Sequence, residues 1–425
     1  MTHSPKSGFL WRLKKNRPWI FSAVLLLVLP WIFKSSLSLT LLTQMCIAII
    51  ICLSYNILLG QGGMLNFGHA VYVGIGAYLT VHIINYVSQG WSFPIVLIPV
   101  LSGLGSLTLA LFFGWISTKK SGTTFAMITF GIGEMIWAIS LMLPEIFGGE
   151  GGISANRSLM NPMSQFLLNS NLKTYYFIAT YTLICTALIY FFTLTPLGQI
   201  LKAVRDNSQR AEFIGYDSRF VRYLSFLISA FFAGVAGSLS AINLEMVTSD
   251  SLSAHRSGMY LIFTFIGGVG FFYGPILGGV TMILALVLLS SITQAWFLYV
   301  GLFFVFMVMY VPGGIASLVQ QFIFIFKTGI LRRHWKFYGA TVFFLFVAFI
   351  GTGALIEMVY QFQIRSSLGS KLKYLFWTVD IKNNLHWYFS ILGGVLGWLG
   401  IYICIQTVSL QLNFKNSLNS VGLKF

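Results

Sequence analysis

The chain has 425 residues, 8% charged and 57% hydrophobic, with 26 Lys and Arg against 10 Asp and Glu and a mean hydropathy of +0.82. Ordinary soluble domains carry about 25% charged residues, so this composition excludes a soluble enzyme, a secreted disulfide scaffold and a disordered chain. The net charge of +16 does not point to nucleic acid, because the basic residues stand in small clusters between long apolar runs, as in a polytopic membrane protein.

The chain opens with Lys6, Arg12, Lys14, Lys15 and Arg17, followed by an apolar run. That run resembles a signal peptide, but no small-x-small cleavage site follows it, so it reads as a retained first span. A span needs about 20 apolar residues. Candidates lie at 18–34, 37–59, 66–88, 91–117, 122–143, 173–195, 221–245, 259–272, 275–293, 295–311, 337–359 and 387–409. The piece 259–272 is short, about 21 Å at 1.5 Å per residue. It is either a tilted span or half of a re-entrant hairpin broken at Gly270–Pro275. With the N-terminus in the cytoplasm, alternating spans put most basic clusters inside: the N-terminal one, Lys119–Lys120, the five around 202–222, and Lys327, Arg332, Arg333 and Lys336. The positive-inside rule supports that orientation; region 361–385, basic but placed outside, fits it least.

The expected organisation is a cytoplasmic N-terminus 1–17, a membrane core 18–312 with a cytoplasmic loop 196–222, a basic linker 313–336 and a C-terminal helical hairpin 337–425 with no assigned role. The fold class is an all-α polytopic integral membrane protein. It has about ten transmembrane helices in the core and about two more at the C-terminus.

Cys46, Cys52, Cys185 and Cys404 form no C-x-x-C and lie in apolar runs, where a free Cys packs as a small hydrophobe. No H-E-x-x-H, P-loop or G-x-S-x-G motif occurs. No metal, no cofactor and no ATPase of its own are expected on this chain, and no catalytic constellation of an enzyme is recognisable.

The segment Gly60-Gln61-Gly62-Gly63-Met64-Leu65-Asn66-Phe67-Gly68-His69, running on to Gly74 and Gly76, breaks otherwise apolar sequence. Irregular backbone at membrane depth must be buried in protein or face a water-filled cavity. Asn66 and His69 then either line a pathway, or glycine packing through Gly63, Gly68, Gly74 and Gly76 surrounds a satisfied His69. Glu134 falls mid-span, and Thr123, Met127, Gly131 and Glu134 share a helix face; Thr129 lies in the same stretch. A carboxylate there should face the bundle interior or a cavity and have a partner. Thr195-Pro196 starts an amphipathic helix that Gly215 ends. Lys202, Arg205, Asp206 and Arg210 lie off its apolar stripe. Such a helix lies on anionic lipid or docks in a partner's groove. Gly270, Gly274 and Gly278 repeat G-x-x-x-G, which allows close helix packing.

In order and spacing these pieces resemble the permease subunits of branched-chain amino-acid ABC importers, the LivM-type family. The matching stretches are GQGGMLNFGHAVYVGIGAY at 60–78, SGTTFAMITFGIGE at 121–134, FGGEGGIS at 147–154, TPLGQILKAVRDNSQRAEFIGYDSRFVRYLSFLISAFFAGVAGSLSA at 195–241, GGVGFFYGPILGG at 267–279 and VPGGIASLV at 311–319. The resemblance covers roughly residues 20–320. It implies a bacterial inner-membrane importer for a small amphiphilic solute, first of all a branched-chain amino acid. Its partners would be a second permease (a heterodimer, or a homodimer), two cytoplasmic ATP-binding subunits that use the ATP, and an extracytoplasmic solute-binding protein. It also makes 197–215 a coupling helix, with Arg205, Asp206, Glu212 and Gly215 at matching positions, while Ser208-Gln209-Arg210 departs from the more acidic and small residues of the pattern. Two other readings compete: a self-contained ion-coupled transporter or channel working through Glu134, Glu245 or Glu357, and an importer for urea or another small amide.

Overall fold

The computed structural model describes residues 19, 22–90, 93–156, 168–311, 313–327, 335–364, 371–374, 377–380, 385–400 and 402–403. The N-terminal basic cluster, Arg157, residues 328–334 of the basic linker and the last stretch from 404, Cys404 included, lie outside them.

An apolar helix α1, Ser22–Ile32, precedes α2, Ser36–Asn56, whose N-cap Ser35 accepts a hydrogen bond from the Ser38 amide. A π-turn, Ile57–Gln61, extends α2. Then come α3, His69–Ser88, α4, Ile98–Ser117, and α5, Gly122–Met142. Helix α6, Asn171–Leu194, is capped by Ser170. The loop helices α7, Pro196–Asp206, and α8, Ser208–Phe213, follow. Next is α9, Ser218–Leu244, the longest of the core, with Asp217 accepting from two amides of its first turn. The core continues with α10, Ala254–Gly267, and α11, Gly274–Ile283, which runs on through a second π-turn to Ile292. Helices α12, Trp296–Tyr310, and α13, Gly314–Lys327, follow.

Among the described residues, eight helices are long and apolar enough to cross a membrane. The bent pair 296–310 and 314–324 adds a ninth if it forms one span. The protein is a multi-pass, helical membrane protein. Of the expected run 18–34 the described helix is α1, and α10 has the 14 residues expected of 259–272 but lies five positions earlier in the chain.

Two compact units emerge. The first takes in the chain up to Leu289 and 300–318. Its centre is α9, which is buried along most of its length and packs on α2, α3 and α4. Small residues bring these backbones together. Gly237 of α9 lies against the Val73 carbonyl, and the hydroxyls of Thr80, Ser102 and Ser238 meet at 2.6–2.7 Å between α3, α4 and α9. Each hydroxyl is thereby satisfied where water is absent.

Helices α10 and α11 fold back on each other as a hairpin. A Cβ on Gly267 would fall 2.7 Å from the Gly278 amide nitrogen, and Gly274 and Gly278 lie against the backbones of Gly268 and Phe263. Gly270 was expected in this packing; it stands in open space in the turn and contributes nothing to it. The second unit comprises 290–299 and the chain beyond 319. In it α14, Trp335–Ile364, packs on the helix 385–400 through Gly351, Gly393 and Gly394. A two-stranded hairpin, β3 Lys371–Tyr374 and β4 Trp377–Asp380, lies between them in sequence. The Glu357 carboxylate accepts hydrogen bonds from the Thr293 and Tyr299 hydroxyls.

Candidate functional site

The glycine-rich segment forms a knot at the end of α2. His69 Nε2 shares a 3.0 Å hydrogen bond with Ser54 Oγ, seven positions before Gln61. The chain therefore turns back along α2 for about 10 Å, at 1.5 Å per residue, before α3 begins. The Tyr55 hydroxyl donates to the Asn66 carbonyl, and its ring meets the His69 ring edge-on at 4.9 Å. Asn66 Oδ1 accepts from the Gly68 amide, and Thr129 Oγ1 of α5 accepts from Phe67. Ser257 of α10 accepts from the Ala70 amide at the start of α3.

Asn66 and His69 are thus buried in this chain. The irregular backbone is tolerated because side chains from α2, α5 and α10 satisfy it. The satisfaction is incomplete: Asn66 Nδ2, His69 Nδ1 and Asn56 Oδ1 are buried without a protein partner. The glycines are required here by close approach. Gly68 lies on the Thr129 carbonyl, Gly74 on Leu252, and Gly76 on Gly234 of α9.

On α5, Phe125, Ala126, Thr129, Gly133, Ile136 and Ser140 are buried. The opposite face is less covered by the described residues: Thr123, Met127 and Gly131 are exposed and Glu134 is half-buried. Thr129 therefore belongs to the packed side, apart from Thr123 and Glu134. A partner was expected for Glu134; it makes no hydrogen bond or ion pair among the described residues.

The loop 196–222, expected on the cytoplasmic side, was expected to be one helix over 197–215. It is two, because Asn207 adopts an extended conformation (φ −160°, ψ 101°) and caps α8 by accepting from the Arg210 amide at 2.9 Å. Helix α7 buries Gly198, Leu201 and Val204 and leaves Lys202 half-buried and Arg205 and Asp206 exposed. Gly215, at φ +98°, ends α8 in a conformation that L side chains rarely adopt. Arg210, Glu212 and Gly215 are exposed. Next to them stand Phe213 and Ile214, 91% and 71% exposed.

One side chain joins loop and knot. Arg205 pairs with Asp206 at 2.8 Å and donates to the Gly60 carbonyl of the π-turn. Gly63, at φ +63°, leaves room for its stem: a Cβ there would come 2.8 Å from Arg205 Cγ. Gly62, Gly63, Met64, Arg205, Asn207 and Arg222 line a cavity of about 390 Å³ between them.

The family model described as "Branched-chain amino acid transport system / permease component" matches residues 37–313. The chain belongs to this permease family. It is 26% identical over 321 residues to the high-affinity branched-chain amino acid transport system permease protein LivM of Escherichia coli strain K12, across 70% of this chain and 74% of that protein. It is 24% identical over 269 residues to the permease protein LivH of the same strain, across 57% of this chain and 81% of LivH. No solved structure matches.

Sequence reasoning missed two features of this permease. The glycine stretch 148–154, half-buried to exposed, is tied to the segment after α9: Gly152, at φ +70°, lies against Val247, and β1, Ile153–Ser154, pairs with β2, Met246–Val247. FGGEGGIS carried that signal, since only glycine adopts such angles freely. The exposed Phe213–Ile214 pair was also legible, as apolar residues just before the terminating Gly215.

Proposed function

We propose that this permease is the translocating subunit of an ATP-driven importer in a bacterial inner membrane, with its N-terminus in the cytoplasm. It carries small amphiphilic solutes, foremost branched-chain amino acids. Two ATP-binding subunits, a second permease and an extracytoplasmic solute-binding protein complete the assembly. Similarity both to LivM and to LivH, each named as a permease protein of one kind of transport system, supports pairing of two such chains. The basic clusters around 202–222 support a cytoplasmic loop.

The observation that carries the proposal is the hydrogen bond from Arg205 to Gly60. A partner that grips α7 and α8 and moves with ATP pulls on a side chain tied to the irregular turn at the end of α2. That turn holds the start of α3 through Tyr55, Asn66 and His69. Motion at the loop thus reaches the membrane core through contiguous contacts. The exposed α5 face, with Thr123 and Glu134, suits either the solute path or the second permease.

The test is uptake of labelled leucine into vesicles carrying the assembled transporter. ATP-dependent uptake is expected. Uptake by this chain alone, driven by a proton gradient without nucleotide, would instead establish the self-contained transporter, and selective uptake of urea would replace the solute class.

A further inference from the structure

The cavity of about 390 Å³ between the loop helices and the knot is also lined by Ser121, Gly122, Ser208 and Gln209. Hydroxyls, side-chain amides and two guanidinium groups therefore border one space, and donors on two of its walls are unused. The first is Arg222 of α9. It is half-buried, its Nε is buried without a hydrogen-bond partner, and its guanidinium makes no ion pair among the described residues. Glu212 and Asp217 are close enough to act on its charge, yet neither bridges to it. Arg205, on the same cavity, differs: the Asp206 carboxylate and the Gly60 carbonyl occupy it. A recessed cation without an acceptor carries a free-energy cost that a bound anion offsets.

The second is the start of α5. The first amides of a helix have no partner within it, and the N-cap Ser121 gives them no side-chain cap. Gly122, at φ +63°, has nothing within 4 Å of where a Cβ would stand, so the approach to those amides is open. Free amides at a helix start favour anions, and an arginine fork matches a phosphate in two parallel bonds. The Asp206 carboxylate also lines the cavity, but Arg205 neutralises it.

We infer that this cavity binds a phosphate-type anion, with the Arg222 guanidinium and the first amides of α5 as its donors. A tetrahedral anion accepts from several directions at once, which suits donors drawn from α9, from α5 and from the polar side chains at the break between α7 and α8. A planar carboxylate would use the fork alone. The occupant is free phosphate or the phosphate of an anionic lipid headgroup. Bound there, it links the starts of α5 and α9 to the loop helices. The inference does not depend on which solute is carried.

The test is binding of labelled inorganic phosphate to the purified, delipidated full chain in a neutral detergent, with sodium chloride holding the ionic strength constant. Wild type, Arg222→Gln and Ser121→Glu are compared. Both variants should bind phosphate about tenfold or more weakly, the loss expected for one charge-assisted contact. They act in opposite ways: Arg222→Gln removes the cation, and Ser121→Glu adds a carboxylate to the cavity wall, at a helix start where an acid is favourable. Ser121→Glu should therefore unfold no lower than wild type, so its loss of binding is not a loss of fold. Phosphatidylglycerol added to the micelles tells the two sources apart. Displacement of the labelled phosphate, with phosphatidylcholine inert, supports the site as one for a lipid headgroup; phosphate that stays bound supports it as one for the free anion. Undiminished binding in either variant, or a wild-type chain that binds no phosphate, overturns the inference.

Discussion

Gly76 and Gly234 touch backbone to backbone where α3 crosses α9: a Cβ on Gly76 would fall 2.6 Å from the Gly234 Cα. Neither helix can shift independently, because Gly237 of α9 also rests on Val73 of α3 and Gly103 of α4 rests on Val235 of α9. Gly76→Ala should therefore destabilise the purified protein by about 1–3 kcal/mol, the range for overpacking a filled interior. Gly270→Ala, with open space around it, should stay within about 0.5 kcal/mol. Unfolding midpoints in detergent of the two variants against wild type check both, and equal midpoints would remove the crossing as the constraint.

His69 is fully buried between Ser54 and Tyr55. His69→Ala leaves a cavity beside Tyr55 and breaks the hydrogen bond that fixes the start of α3. The expected cost is about 2–4 kcal/mol from lost packing and the lost bond. The defect should appear as a lowered unfolding midpoint and reduced yield in the membrane, with the surviving protein keeping its order of preference among solutes. A changed solute preference at unchanged stability would place His69 in the pathway instead.

Much of this was legible in the sequence, and the limits have physical causes. Membrane helices announce themselves by length and apolarity, so α2 to α6 and α9 fall close to their expected ranges. The signal fails where glycine sets geometry. Periodicity carried on through Asn207, and only the capping bond to the Arg210 amide shows the break between α7 and α8. Gly274 and Gly270 look alike in the G-x-x-x-G repeat, yet one packs on Gly268 and the other packs on nothing. The interruption at 60–69 was visible as four glycines and three polar side chains. Which residues satisfy it was not, because Thr129 and Ser257 come from distant spans. The exposed face of α5 was readable as a face; that Glu134 makes no hydrogen bond or ion pair among the described residues needed the structure.

Arg205 holds two acceptors at once, the Asp206 carboxylate and the Gly60 carbonyl. A lysine carries the charge but lacks the fixed fork. Arg205→Lys and Arg205→Ala should both leave the transporter assembled while breaking the tie to the π-turn. The expected phenotype is ATP hydrolysis that persists with leucine uptake reduced about tenfold or more, in line with loss of a charge-assisted hydrogen bond. Parallel measurement of phosphate release and uptake in the same vesicles checks it. Gly63→Ala, which pushes a methyl against the Arg205 stem, should reproduce the uncoupling. A proportional fall in hydrolysis and uptake would mean that Arg205 serves docking alone.

Phe213 and Ile214 stand exposed beside the charged residues of α7 and α8, and under the proposed assembly with ATP-binding subunits the two groups should contribute differently to docking. A large exposed aromatic that becomes buried in a partner's groove is a typical binding hot spot, worth about 2 kcal/mol or more on truncation. Charges at a rim mainly set association rate and salt dependence. Phe213→Ala should therefore weaken association with the ATP-binding subunits about 30-fold, at any ionic strength, whereas Lys202→Ala and Arg210→Ala should weaken it modestly at low salt and hardly at all where the Debye length is a few ångströms. Pull-down titrations at two salt concentrations separate the terms. If Phe213→Ala binds like wild type at high salt, the apolar pair lies on lipid, and the charges carry the docking.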